Sequence, residues 1–181
     1  AREPEFNNRK MFWPRGRGLG GSSSINGMVY IRGHAADYDS WRQEGNVGWG
    51  DDDVLPYFKK SMNQERGEDE YHGVGGPLNV KDGNSGMPIH GKFIDAGVQA
   101  GYPYNPDFNG IEQEGVGPIQ LTKIGNKRCS AARGYLTPIR DRKNLTVETN
   151  ARLTRIVIED GRATGVEYLH NGEAKRVSAA K

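Results

Sequence analysis

The sequence predicts an α+β chain, and three observations carry that expectation. Two stretches, near 52–62 and 88–100, have helix start and stop signals around apolar residues at helical spacing. A short apolar run at Pro77 to Val80 between loop-forming segments reads as a strand. Beyond Leu145, strand-like segments alternate with Asp160-Gly161 and Asn171-Gly172, pairs that suit tight hairpins.

Taken in order, Trp49-Gly50 followed by Asp51-Asp52-Asp53 reads as an N-cap with an acidic first turn, which complements the positive end of a helix. Val54, Leu55, Phe58 and Met62 then fall near one face, so a helix is expected from Asp52 to Met62. Asn63 to Gly76 is polar and contains glycine, so it reads as a surface loop, with the acidic run Glu65 to Glu70 solvated. Pro88 at a first helical position, apolar Ile89, Phe93, Ile94 and Val98, and a stop at Gly101 and Pro103 define a second helix. Val116 to Thr122 is a further strand, and Ser130 caps a third helix that Pro138 ends or kinks. Four strands are expected after that: Leu145 to Thr149, Ala151 to Ile158, Ala163 to Leu169 and Ala174 to Ala179. The last three should form an antiparallel meander with type I′ turns.

The segment with most chemical content is Gly16 to Gly33, GRGLGGSSSINGMVYIRG, which holds six glycines and three serines. Such a loop lets backbone approach a ligand closely, while Ser22, Ser23, Ser24 and Asn26 add compact hydrogen-bonding groups. It suits a phosphate or a flat heteroaromatic ring. Gly16, Gly18 and Gly21 fit G-x-G-x-x-G, but the fingerprint needs a buried strand before it, and Lys10 to Arg15 is short, basic and broken by Pro14. The match is rejected. Gly86 to Phe93 has the G-x4-G-K of a P-loop, yet Phe93 stands where a magnesium-binding hydroxyl is required and Pro88 removes a donor, so triphosphate binding is not expected.

Gly16-Arg17, Leu19-Gly20-Gly21-Ser22-Ser23, Ile25-Asn26, Tyr30, Gly33 and Asp39 together resemble the first signature of the glucose-methanol-choline (GMC) family of flavoprotein oxidoreductases. The similarity continues through Gly48 to Met62, His72 to Val80, Asp95 to Pro103, Phe108 to Pro118, Ser130 to Leu136 and Asn144 to Ile156. It is nearest to the choline-dehydrogenase-like and polyethylene-glycol-dehydrogenase-like branches. The resemblance implies an α/β FAD-binding domain plus a substrate domain with an antiparallel sheet. Residues 1–76 and 128–181 would belong to the FAD-binding domain and 77–127 to the substrate domain. Family members are longer, beginning with the dinucleotide loop and ending with the catalytic histidine. The chain is therefore expected to be an internal piece, inactive alone, with no catalytic residue of its own and with the missing N- and C-terminal segments as its partners.

Carried over position by position, the implied cofactor contacts are Gly20, Gly21, Ser23, Asn26, Gly27, Met28 and Val29, along the pyrophosphate and the isoalloxazine edge. Leu153 is implied as a backbone contact to the adenine. Arg17 is either a phosphate contact or an exposed ion-pairing residue. Some relatives carry a flavin-linked histidine where this chain has Ile25, so FAD is expected to be held noncovalently. The implied reaction oxidises a primary alcohol to an aldehyde, with hydride passing to flavin N5. Tyr102, Tyr104, Asp107 and Asn109 fall in the substrate-domain stretch without revealing which alcohol fits. A noncatalytic flavin-binding or interaction module, and an inactive structural fragment, remain the alternative readings.

Bulk properties narrow the partners. Only 34% of the 181 residues are hydrophobic, so the core should be thin. A net charge of +2, spread along the chain, gives no field for grasping nucleic acid. No apolar run is long enough to span a bilayer. Cys129 stands alone, which leaves no internal disulfide, fits a reducing, cytoplasmic setting and favours a structural thiol. His34, His72, His90 and His170 read as solvated or capping residues, and none pairs at metal-ligand spacing. Trp13, Trp41 and Trp49 read as packing anchors around loops. Asn144-Leu145-Thr146 fits a glycosylation acceptor, but it serves equally as a strand entry.

Overall fold

The computed structural model describes residues 2–83 and 86–180, and the chain divides into two compact units, Ala1–Ile139 and Arg140–Lys181. The first unit opens with a two-residue hairpin, β1 (Arg2–Glu3) and β2 (Arg9–Lys10). The glycine-rich loop follows and ends in β3 (Val29–Tyr30). Helices α1 (Ala35–Gln43) and α2 (Asp51–Ser61) come next, then β4 (Met62–Gln64), β5 (Leu78–Asp82), α3 (Pro88–Gln99) and β6 (Gln120–Leu121). A hairpin of β7 (Lys123–Ile124) and β8 (Lys127–Arg128) leads to a π-helical turn at Ala132–Leu136 and a 3-10 turn at Thr137–Ile139. One sheet has the strand order β3-β6-β5-β4, antiparallel except for the parallel β5/β4 pair.

Local chemistry explains the helices. In α2 the Gly50 amide donates to Asp53 Oδ2 at 3.0 Å, three aspartates fill the first turn, and Lys59 and Lys60 fill the last. The sequence did not suggest α1, because its N-cap is a histidine. His34 Nδ1 accepts from the Ala36 amide at 3.1 Å, while Asp37 Oδ2 accepts from the His34 amide at 3.0 Å. Tyr38 then joins the two helices, with ring centroids 5.5 Å from Trp41 and 5.8 Å from Phe58, and Trp49 lies 6.0 Å from Trp41. Trp41 and Trp49 thus make ring contacts, although they remain 44% and 54% exposed, so they anchor these loops only in part. Trp13 is no such anchor: it is 67% exposed and carries only Arg15 over its ring. Helix α3 forms with Pro88 at its start, yet Ile89 and Phe93 on its apolar stripe are exposed.

Several expectations need correction. Asn63 to Gly76 is not wholly a surface loop, because Met62–Gln64 forms β4 and His72 and Gly73 are buried. Within the acidic run, Glu65 pairs with Lys81 at 3.2 Å and Asp69 binds His72. The strand expected over 116–122 shrinks to Gln120–Leu121, with Val116 in an isolated bridge to Tyr104, because Pro118 has no amide to donate to a ladder. Ser130 Oγ does accept the Arg133 amide, at 3.3 Å, but the helix it opens is a π turn that runs on through Pro138 as 3-10. Leu145 to Thr149 is not a strand.

The second unit is the expected meander, β9 (Ala151–Glu159), β10 (Arg162–His170) and β11 (Glu173–Ser178), antiparallel in the order β11-β10-β9. Both turns have positive φ at their two central residues, Asp160-Gly161 at 51° and 75° and Asn171-Gly172 at 52° and 88°, which is the I′ pattern. Glu148 is held below the usual carboxylate range, first by the Tyr168 hydroxyl at 2.7 Å and then by nearby His170.

Fully buried apolar side chains are few: Met62, Val80 and Cys129 in the first unit and Val157 in the second. Amides and carboxylates do much of the remaining packing in the first unit. Gln120 Oε1 accepts from Gln64 Nε2 and from Asn109 Nδ2, both at 3.1 Å, and Gln120 Nε2 donates to Asp107 Oδ1 at 2.9 Å. Asn109 also donates to the Tyr30 carbonyl and accepts from the Arg32 amide. His72, only 2% exposed, sits beneath this knot with Nδ1 2.7 Å from Asp69 Oδ1 and Nε2 3.2 Å from Asp107 Oδ2, the latter not aligned for a hydrogen bond. The expectation of a solvated or capping His72 is thus overturned. Burial pushes the Asp69 carboxyl up, but hydrogen bonds from the His72 ring and from the Tyr71 and His72 amides outweigh it, so the net shift is downward.

Two expected outcomes follow from this core. Gln120→Leu strips the acceptor from Gln64 and Asn109 and the donor from Asp107, so urea melts should show a loss of about 2–4 kcal/mol, part of which Gln64→Leu in the same chain restores. Tyr30 has a buried hydroxyl without a hydrogen-bond partner, and burial pushes its pKa up to about 12 despite nearby Arg32. The folded state therefore keeps this proton longer than the unfolded state, so the contribution is complete below pH 10.0 and is lost as pH rises through about 12. Tyr30→Phe should keep or raise stability at neutral pH and flatten the alkaline part of the stability profile.

Candidate functional site

The loop from Gly16 to Gly33 is built as a rigid bend. Gly20 has φ +89°, and a Cβ there would come within 2.5 Å of Ser24 Oγ, so a side chain is disfavoured on both counts. Gly16 lies against the Gly21 carbonyl so closely that a Cβ would overlap it. Residues 21–24 turn as a short 3-10 segment, within which Ser23 Oγ donates to the Gly20 carbonyl and Ser24 Oγ donates to the Leu19 carbonyl at 2.9 Å. Asn26 Oδ1 accepts from the Met28 amide at 3.1 Å, and Met28 takes a positive φ of 63°, uncommon for a residue with a side chain.

Residues about a hundred positions later hold this bend from outside. The Thr122 amide donates to the Met28 carbonyl at 2.8 Å, and Val29 pairs with Leu121. The Ala131 amide donates to Ser23 Oγ at 2.9 Å. Arg128 Nη1 reaches the Ser23 carbonyl at 3.2 Å, the Asn26 carbonyl at 2.7 Å and Asn26 Oδ1 at 2.6 Å. Sequence reasoning did not find Thr122, Arg128 or Ala131, and no local pattern marks them.

Of the expected contacts, Gly20, Gly21, Ser23, Asn26, Gly27, Met28 and Val29 all lie in this one bend. Ser23 has its hydroxyl committed to Gly20 as donor and to Ala131 as acceptor, while its amide donates to the Gly20 carbonyl and its carbonyl accepts from Arg128, so it shapes the bend. Among the described residues the amides of Gly20 and Gly27 donate to no protein acceptor, and neither does Asn26 Nδ2. These are the groups a ligand with acceptor oxygens or ring nitrogens would use. Ile25 is 56% exposed and aliphatic. Leu153 lies in the other unit, on β9, paired with Tyr168 and 55% exposed.

Other candidate chemistry is accounted for elsewhere. Asp107 and Asn109 belong to the buried knot, and Cys129 is buried with Sγ 3.9 Å from the Pro77 carbonyl. Tyr102 and Tyr104 are exposed. Among the described residues no group of His, Cys, Asp and Glu is placed to hold a metal ion, and no helix is long and apolar enough to cross a membrane.

The chain is 47% identical over 173 residues to the human mitochondrial choline dehydrogenase, covering 96% of this chain and 29% of that protein. It is 47% identical over 179 residues to the oxygen-dependent choline dehydrogenase of Rhizobium etli (strain CIAT 652), covering 99% and 32%. Among solved structures, pyridoxine 4-oxidase from Mesorbium loti superposes with a TM-score of 0.88 at 34% identity, covering 95% of this chain and 34% of that one. An FAD-dependent oxidoreductase from Chaetomium thermophilum superposes at 0.87 with 28% identity, covering 97% and 33%. The chain thus spans about a third of the length of these relatives. The family model for GMC oxidoreductases matches residues 4–181, and the chain belongs to that family.

Proposed function

We propose that this chain supplies the flavin-facing bend of an FAD-dependent alcohol oxidoreductase that converts a primary alcohol to an aldehyde. The observation that carries the reading is the bend itself, in which the Gly20 and Gly27 amides and Asn26 Nδ2 have no protein acceptor among the described residues while the amides of Gly21, Ser23, Ile25, Asn26 and Met28 are tied into the fold. FAD, when bound, supplies the hydride acceptor for the carbinol carbon. The chain's own contribution is to bind and orient. The Gly20 amide would hold phosphate oxygens, with Gly21 and Ser23 against them shaping the turn through their own amide bonds to the Gly18 and Gly20 carbonyls, and Asn26, Gly27, Met28 and Val29 would line the ring edge, where amide donors favour negative charge. Leu153 is assigned a backbone contact to the adenine.

Residues 1–76 and 128–181 are assigned to the FAD-binding domain and 77–127 to the substrate domain. Attachment is noncovalent in this reading, because the side chain of Ile25 has no nucleophilic atom. The proton-abstracting residue is assigned to segments outside these 181 residues, as are the remaining partners of the cofactor. A reducing, cytoplasmic setting suits the single, buried Cys129. The choline dehydrogenases among the relatives make choline the first alcohol to assay.

The test uses the full-length protein that carries this chain. It should purify with flavin absorbance, and acid precipitation should leave the colour in the supernatant. Colour that stays with the pellet would refute noncovalent attachment. Gly20→Val, which adds a clashing branched side chain at positive φ, should lower FAD affinity by at least about tenfold. Wild-type protein that takes up no FAD would point instead to a noncatalytic interaction module.

A further inference from the structure

The loop contains its own hydrogen bonds, but one side chain from outside does something those bonds do not. Arg128 ends β8, is half-buried, and spends Nη1 on three oxygens of the bend: the Ser23 and Asn26 carbonyls and Asn26 Oδ1. Among the described residues it has no carboxylate within ion-pairing distance. Its protein partners there are therefore amide and carbonyl dipoles alone, with solvent on its exposed side.

Two consequences follow from elementary hydrogen-bond chemistry. A guanidinium can only donate, so the end of the Asn26 amide that faces it must be the oxygen. Since Oδ1 also accepts the Met28 amide, the side chain is fixed by two donors on one atom, and Nδ2 is the group left to offer a ligand. Second, a cation without a counter-carboxylate beside this loop favours a ligand that covers the loop and gains negative charge there.

Building on the flavin reading above, we propose that Arg128 is a positioning residue for the cofactor: it sets the Asn26 amide with its donor toward the ligand and supplies the unbalanced positive charge beside the bend. Arg128 is a positioning residue and not a catalytic one, because it acts through Asn26 and through its field. Lysine at this position keeps the charge but loses the planar fork, so the two roles separate by substitution.

The experiment compares wild type, Arg128→Met, Arg128→Lys and Asn26→Asp in the full-length protein. Three readouts are taken: hydrogen exchange of the amides from Ser23 to Val29, FAD affinity by titration, and the midpoint potential of the bound flavin. Arg128→Met should speed exchange across the bend, weaken FAD by about ten- to hundredfold, the scale of a lost charge-assisted hydrogen bond, and lower the potential. Arg128→Lys should also speed exchange while holding the potential near wild type. Asn26→Asp keeps an acceptor for Arg128, so its bend should stay protected although FAD binding weakens. A merely structural arginine would change exchange and affinity in Arg128→Met but leave the potential at the wild-type value, and that result overturns the charge role. Unchanged exchange in Arg128→Met and Arg128→Lys overturns the clamp. Should Arg128→Met fail to fold, the lysine and aspartate variants decide alone: wild-type exchange in Arg128→Lys, or loss of protection in Asn26→Asp, overturns the proposal. Wild-type protein that binds no FAD defeats the flavin reading and the charge role together, whereas the exchange comparison judges the clamp independently.

Discussion

The first unit depends on the buried knot of Gln120, Asn109, Gln64 and Asp107. A domain with so few fully buried apolar side chains gains less than usual from removing apolar surface from water, so directional polar contacts must specify how its segments meet. Gln120 alone ties β4, β6 and the turn at 107–109 together. Asn109 passes the constraint on, since it bonds the Tyr30 carbonyl and the Arg32 amide where the glycine-rich bend leaves for α1. Every member of such a network is costly to remove, because its partners stay buried.

From that anchor the route to function is short. The knot fixes the exit of the bend at Tyr30 and Arg32, the pairing of β3 with β6 fixes Val29, and the segment from Thr122 to Ala131 fixes Ser23, Asn26 and Met28. What is left unsatisfied is confined to a few amides and one side-chain nitrogen. A loop held from both ends has lost its conformational entropy before a ligand arrives, and preorganisation of that kind favours tight binding of a large cofactor by groups that are individually weak.

The legible parts of the sequence were those whose cause is local. Gly50 and the aspartates announce α2, Pro88 announces α3, and Asp160-Gly161 and Asn171-Gly172 announce the meander; in each case the signal and the hydrogen bonds it makes lie within a few residues. Helix α1 stayed hidden because a histidine performs the capping that serine or aspartate usually does. Strand β4 stayed hidden because Asn63 and Gln64 look like loop residues until Val80 and Gln120 are beside them. The same reason hid the burial of His72. For the site, residue type and spacing in the bend pointed to a close-approach loop and to a family, whereas Arg128 reaches Asn26 across 102 positions of chain and nothing near either residue signals the pairing.

The central claim is that the bend from Gly20 to Val29 is shaped in advance to receive FAD through its backbone. The most direct measurement is a crystal structure of the full-length protein with the cofactor bound. The account requires the Gly20 and Gly27 nitrogens and Asn26 Nδ2 at about 3 Å from cofactor oxygens or ring nitrogens, with the bend otherwise unmoved. A cofactor seated away from these three groups, or a bend that has to refold to meet it, would contradict the claim.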